Sequence, residues 1–184
     1  RLDKYALNPY TDATERDFLI QFPVQGQIAQ TLDDNVAWKY DGTAWNILSG
    51  GVLQVVRATD TTARSTTSQS FIDAGISVTI TPKTNTSAIL LIMTCWLNKT
   101  VANESGRIQI TDNSNNAISG AEDGIMGTAI TTDQNQSTVN IGYSTPATIS
   151  ATTYKGRFKS STGTIITIKN TFQTGQMYAI EVSA

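Results

Sequence analysis

Beyond Gly51, apolar residues recur at every second position through most of the chain. Ile76, Val78 and Ile80 alternate with Ser77 and Thr79. Val139, Ile141 and Tyr143 alternate with Asn140 and Gly142, and Tyr154, Gly156 and Phe158 alternate with Lys155, Arg157 and Lys159. A period of two sends successive side chains to opposite faces of a strand, so these runs predict half-buried strands. Residues 52–56, 107–111, 165–169 and 177–182 read as further strands. Residues 88–97 are apolar at almost every position, which predicts a central strand buried on both faces. The strands are short and the turns between them are rich in Ser, Thr, Asn and Gly. That pattern predicts an antiparallel β-sandwich, jelly-roll-like, with no helix after Gly51.

The chain divides near Ser49-Gly50-Gly51, into a small N-terminal module over 1–49 and a sandwich over 52–184. Residues 1–10 have no period and read as an extended arm that needs a surface to lie on. Residues 11–20 suit one short helical turn, with Thr11 or Asp12 as N-cap and Glu15 near the capping-box position. Strands follow at 27–31, 36–40 and 44–48, separated by a turn over 32–35 and a tight hairpin at Asp41-Gly42-Thr43. Trp38, Tyr40 and Trp45 flank that hairpin. They form either a miniature aromatic core or a stacking platform for sugars. A few short strands with one aromatic cluster make a marginal core, so the module implies a partner surface. The whole is expected to be all-β, a small N-terminal hairpin module plus a C-terminal sandwich.

Composition sharpens this picture. Hydrophobic residues are 39% of the 184 and charged residues only 15%. Thr, Ser, Asn and Gln fill the difference, which suits strands better than surface helices. The net charge is −2, so the chain offers little to a run of phosphates or an anionic membrane. Neither a nucleic-acid partner nor membrane insertion is expected, because the longest apolar run is too short to span a bilayer. No stretch reads as a signal peptide. The chain opens at Arg1 without Met, which reads as a fragment or a processed product.

The chain contains no histidine. Ser-His-Asp and Cys-His catalysis and the usual zinc sets therefore lack a member. Cys95 is the single cysteine and lies inside the apolar run, so it reads as a buried structural thiol. Carboxylate pairs remain for glycoside hydrolysis, and Glu122-Asp123 is the adjacent pair, but on a strand the two would face opposite ways. Asp112, Ser114 and Asn116 resemble the start of a calcium loop. Ala117 stands where such a loop needs Gly, and Asp123 where it needs Glu. A polar hairpin tip between Ile110 and Ile118 is the plainer reading. No metal and no cofactor is expected.

Some residues carry a more specific likeness. The run Ser70-Phe71-Ile72-Asp73-Ala74-Gly75-Ile76-Ser77-Val78-Thr79-Ile80-Thr81-Pro82 and the segment Ser87-Ala88-Ile89-Leu90 resemble the C-terminal domain of bacteriophage tail-fibre proteins of marine phage type. Tyr143-Ser144-Thr145-Pro146, Ala151-Thr152-Thr153-Tyr154 and residues 177–184 are similar to later parts of that family's pattern. Pro23-Val24-Gln25-Gly26 with residues 38–45 resembles a small module of phage fibre and tail proteins. Residues 113–136 follow no part of the pattern.

The resemblance implies a non-enzymatic virion protein, a tail or head appendage that forms a homotrimer and mediates attachment to the host. Its N-terminal part would dock on other phage tail or capsid proteins, and its sandwich would meet a host surface glycan. An architectural head fibre, decoration or connector protein, binding only other virion proteins, fits the same residues. Hairpin tips reach solvent, so the receptor-binding candidates are Asp112, Asn113, Asn115, Asn116, Glu122 and Asp123.

Overall fold

A computed structural model describes residues 8–32, 37–48, 51–126 and 132–183. The chain forms two compact units, Arg1–Leu53 with Ser183–Ala184, and Gln54–Val182.

In the first unit β1 (Asn8–Tyr10) lies parallel to β2 (Ile28–Thr31), and β3 (Ala37–Tyr40) and β4 (Trp45–Ile47) continue the sheet in the order β1-β2-β3-β4. The arm expected over 1–10 thus contributes an edge strand with its last three residues. Residues 1–7 and most of the turn expected at 32–35 lie outside the described residues. Helix α1 (Ala13–Leu19) is capped by Asp12, which accepts the Glu15 N–H at 2.8 Å, while the Glu15 carboxylate accepts the Thr11 N–H. This reciprocal arrangement stabilises a helix too short to persist alone. At the hairpin, Asp41 Oδ1 accepts the Thr43 and Ala44 N–H groups, each at 2.8 Å, and Gly42 takes φ +109°. The Arg16 guanidinium lies 4.5 Å over the Trp38 ring and 4.9 Å over Trp45, and its side chain is buried. The module's own cation therefore covers these aromatic rings, which makes the cluster a small core rather than an open sugar platform.

The second unit is a sandwich of two antiparallel sheets. The first has β8 (Ala88–Lys99) at its centre. One edge of β8 pairs with β14 (Gly175–Val182) and then with β13 (Ile166–Lys169), and β5 (Val52–Asp60) and β6 (Ala63–Thr66) flank these in turn. β13 and β14 thus act as one interrupted strand, and so do β5 and β6. The other edge of β8 pairs along its length with β11 (Gln134–Ser144). The second sheet runs β10 (Gly124–Ile125), β9 (Gly106–Asp112), β12 (Thr152–Ser160), β7 (Ile72–Ile80). Counted as eight rows in chain order, the sheets read 1-8-3-6 and 5-4-7-2. Row 1 pairs with 8, 2 with 7, 3 with 6 and 4 with 5, which is a long hairpin rolled up on itself: a jelly roll. β1, β6 and β10 are the strands the alternation did not announce, each too short or too polar to show a period.

The core forms where the inner faces meet. Ile89, Leu91, Met93 and Leu97 of β8 pack with Ile76, Val78 and Ile80 of β7, Ile108 and Ile110 of β9, and Tyr154 and Phe158 of β12. At Gly156 the sheets pack tightly: a Cβ there would lie 2.7 Å from Met93 Sδ and 2.8 Å from Ile76 Cγ2. Cys95 is buried in this core, and burial pushes its thiol up to about 12. Glu104 is 1% exposed and joins the loop after β8 to the loop after β12. Its Oε1 accepts the N–H groups of Ser105 (2.8 Å), Ser161 (2.9 Å) and Thr162 (3.3 Å). Its Oε2 accepts the hydroxyls of Thr164 (2.6 Å), Ser160 (3.4 Å) and Thr162.

Two expectations are corrected. In β11 the apolar residues Val139, Ile141 and Tyr143 face outward, while Asn140 and Gly142 are buried. β8 is fully buried on one face only; Leu90, Ile92, Thr94 and Trp96 on the other are half-buried. The register sets Leu90 beside Ile180 and Tyr143, and Ile92 beside Tyr178 and Ile141. On that outer face Val55 is 56% exposed, Val139 55%, Ile141 51% and Tyr143 53%. The unbroken apolar run thus reflects a core face plus an apolar outer face that is open to solvent. Among the described residues no helix is long and apolar enough to cross a membrane.

Candidate functional site

The outer face of the second sheet is polar, and it carries the chemistry. On β12 Tyr154, Gly156, Phe158 and Ser160 turn inward, so Lys155, Arg157 and Lys159 point outward in a row. Opposite them β7 is irregular. Lys155 pairs with Ser77 but Arg157 with Asp73, so four steps of β7 match two of β12. Gly75 in this bulge takes φ +74°, and Asp73 Oδ1 accepts its N–H at 2.6 Å. Glycine enters that region without strain, and bulges redirect the side chains beside them.

β9 lies on the other side of β12 and ends at Asp112. Asp112 folds the turn that follows: Oδ1 accepts the N–H groups of Ser114 (2.8 Å) and Asn116 (2.9 Å), and Oδ2 accepts the Asn116 amide (2.8 Å). Burial pushes this carboxyl up, but these donors and nearby Lys155 outweigh it and hold it below its ordinary value. Asn115 takes φ +70° at the tip, and Ile118 N–H returns to Ile110 O at 2.9 Å. The segment is therefore the hairpin tip between Ile110 and Ile118, and the Asp112 carboxylate faces its own turn.

A cleft of about 260 Å³ opens between the bulge and this turn, lined by Asp73, Asn115, Lys155 and Arg157. Lys155 Nζ donates to Asn113 O at 2.8 Å and so ties the turn to β12. Arg157 Nη2 donates to Phe71 O, while its Nε is buried without a partner. Lys159 Nζ lies 4.5 Å over the Phe71 ring.

Of the sequence candidates, Asn115 lines the cleft, Asn113 supports it through its carbonyl, and Asp112 and Asn116 shape the turn. Glu122 and Asp123 lie elsewhere. Asp123 pairs with Arg107 at 2.5 Å near the start of β9, and the Glu122 carbonyl accepts the Gln109 amide at 2.9 Å in the middle of that strand. Arg107 and Asp112 are five strand steps apart, about 17 Å at the usual rise. The six candidates therefore do not form one site. Asp73, Lys155 and Arg157 were missed. Their signals are a glycine inside one alternating strand and three cations on the polar face of another.

No protein-family model matches the chain, and no curated protein matches its sequence. Among solved structures, a chain of "Structure of infectious bursal disease virus Gx strain" is similar at 13% identity and a TM-score of 0.28. The match covers 100% of this chain and 58% of that one, so this chain spans less than two thirds of the viral chain's length.

Proposed function

We propose that the chain is a structural subunit of a bacteriophage appendage, a fibre protein that assembles as a homotrimer and carries its sandwich to the host surface. It acts by binding rather than by catalysis. The observation that carries this reading is the apolar outer face of the first sheet, where Val139, Ile141 and Tyr143 of β11 stand more than half exposed beside Leu90 and Ile92 of β8. Apolar patches of this kind on soluble chains mark interaction surfaces. The face also carries Arg57, which lies 5.9 Å over the Tyr178 ring, and a further copy of the same chain supplies an apolar counterpart to Val139, Ile141 and Tyr143. The likeness to phage fibre sequences over most of the chain and the jelly-roll order support the same reading. Of the acidic groups nearest the cleft, Asp112 folds its turn and Asp73 accepts the Gly75 N–H of the bulge. The N-terminal module, with its marginal core, would attach to other tail or capsid proteins.

The test is adsorption. Labelled purified chain is applied to host cells, in competition with whole particles. Saturable binding that blocks particle adsorption supports attachment. A stable oligomer that never binds cells, yet labels particles, would replace attachment by the purely architectural role.

A further inference from the structure

We propose that the cleft between the β7 bulge and the Asp112 turn binds one acidic sugar residue, a saccharide bearing a carboxylate or phosphate. The inference rests on the attachment reading above and names the ligand class of its contact surface.

Four features lead to it. First, the cleft presents two cations, Lys155 and Arg157, side by side on β12. Arg157 lines the cleft with one nitrogen of its guanidinium committed to the Phe71 carbonyl. Guanidinium and ammonium groups bind carboxylate and phosphate oxygens through short, charge-assisted hydrogen bonds. Second, the cleft is not purely cationic. Asp73 lines it too, and an Asp73 oxygen that already accepts from Gly75 N–H keeps lone pairs for a further donor. Beside a bare oxyanion Asp73 would only repel. Beside a sugar it accepts a hydroxyl, while the Asn115 amide both donates and accepts. Two cations, one carboxylate and one amide thus match a ligand with one anionic group and several hydroxyls.

Third, the size fits. At about 260 Å³ the cleft falls just below the roughly 300–1,000 Å³ of pockets that enclose drug-sized ligands, which leaves room for one ring rather than a chain. Fourth, the walls are built rather than incidental. The bulge depends on Gly75 at positive φ, and the opposite wall is held by the bond from Lys155 to Asn113 O. A single shallow contact of this type binds weakly, and several copies on one particle would raise the effective affinity.

The experiment is an amide NMR titration of the full chain with glucuronate, glucose 6-phosphate, methyl glucoside and inorganic phosphate. The expected result is saturable shifts at Asn115, Lys155 and Arg157 with the two acidic sugars, and binding at least about tenfold weaker for methyl glucoside and for inorganic phosphate. Arg157→Gln and, separately, Lys155→Gln should each weaken acidic-sugar binding about tenfold. Arg107→Gln, on the same face but outside the cleft, should leave it unchanged. Lys155→Gln keeps the test valid if loss of the Arg157 bond to Phe71 O disturbs folding. Equal binding of inorganic phosphate would overturn the sugar assignment, and shifts spread over the surface or variants that bind normally would overturn the site. If the chain adsorbs to cells but these variants adsorb equally well, the cleft is wrong and attachment stands. If the wild type does not adsorb, attachment itself fails, whatever the titration shows.

Discussion

Replacing Glu104 by Gln isolates one buried charge and gives a number that can be checked. The carboxylate receives three backbone N–H groups on Oε1 and three hydroxyls on Oε2. Burial alone would raise its pKa. The donors, led by the Thr162 and Thr164 hydroxyls, outweigh burial and bring it from 4.5 down to about 2. A folded-state value below the unfolded one means that the unfolded chain binds more protons in between. Stability is therefore fully present above about pH 4.5 and drains away as the pH falls toward 2. From pH 7 to pH 3 the loss from this one group is about 2 kcal/mol. Gln preserves the shape. Its carbonyl can keep the three backbone donors, while its NH₂ meets hydroxyls that can rotate to accept, so at pH 7 the cost should be only about 1–3 kcal/mol. Gln cannot titrate. In urea unfolding at fixed protein concentration, the drop in stability between pH 7 and pH 3 should be smaller in Glu104→Gln than in the wild type by about 2 kcal/mol. Parallel pH profiles for the two proteins would refute the reasoning.

Other outcomes follow from the same packing. Gly156→Ala should cost about 1–3 kcal/mol in urea unfolding, because its Cβ would press on Met93 and Ile76 between the sheets. Gly75→Ala should destabilise the bulge and shift the amide resonances of Asp73 and Arg157, since the residue sits at φ +74° with the Arg64 guanidinium 2.2 Å from the added Cβ. Cys95 should be unreactive toward a thiol reagent at pH 8 until the chain is unfolded by urea; prompt reaction in the native state would contradict its burial. Asp41→Ala should increase hydrogen exchange at Thr43 and Ala44, whose N–H groups it now holds.

Much of the sandwich was legible because period-two patterning is a local signal. The alternation at 76–80 and 154–159 marked the strands and their inner faces, whereas at 139–143 it marked the strand but its apolar half faces outward, and Asp41-Gly42 marked the hairpin through its turn chemistry. The row order was not legible, since pairing β8 with β14 and β11 depends on partners far away in the chain. The two-faced apolar run of β8 misled because an apolar side chain on a half-buried outer face leaves the same mark on a sequence as one in the core. The cleft was only half legible. Asn115 stood out as a hairpin tip, whereas Asp73, Lys155 and Arg157 come together only through a register slip that no local pattern specifies. Glu122 and Asp123 looked close to Asp112 along the chain, but they run back beside β9, where Asp123 pairs with Arg107 near the strand's start.

Self-assembly through the apolar outer sheet face is the central element of the proposed function. Multi-angle light scattering on the eluting chain at micromolar concentration measures it directly. The expected particle has three times the 19.8 kDa chain mass, and Ile141→Glu should give a smaller species. A wild-type chain that elutes as a stable 19.8 kDa monomer would contradict it.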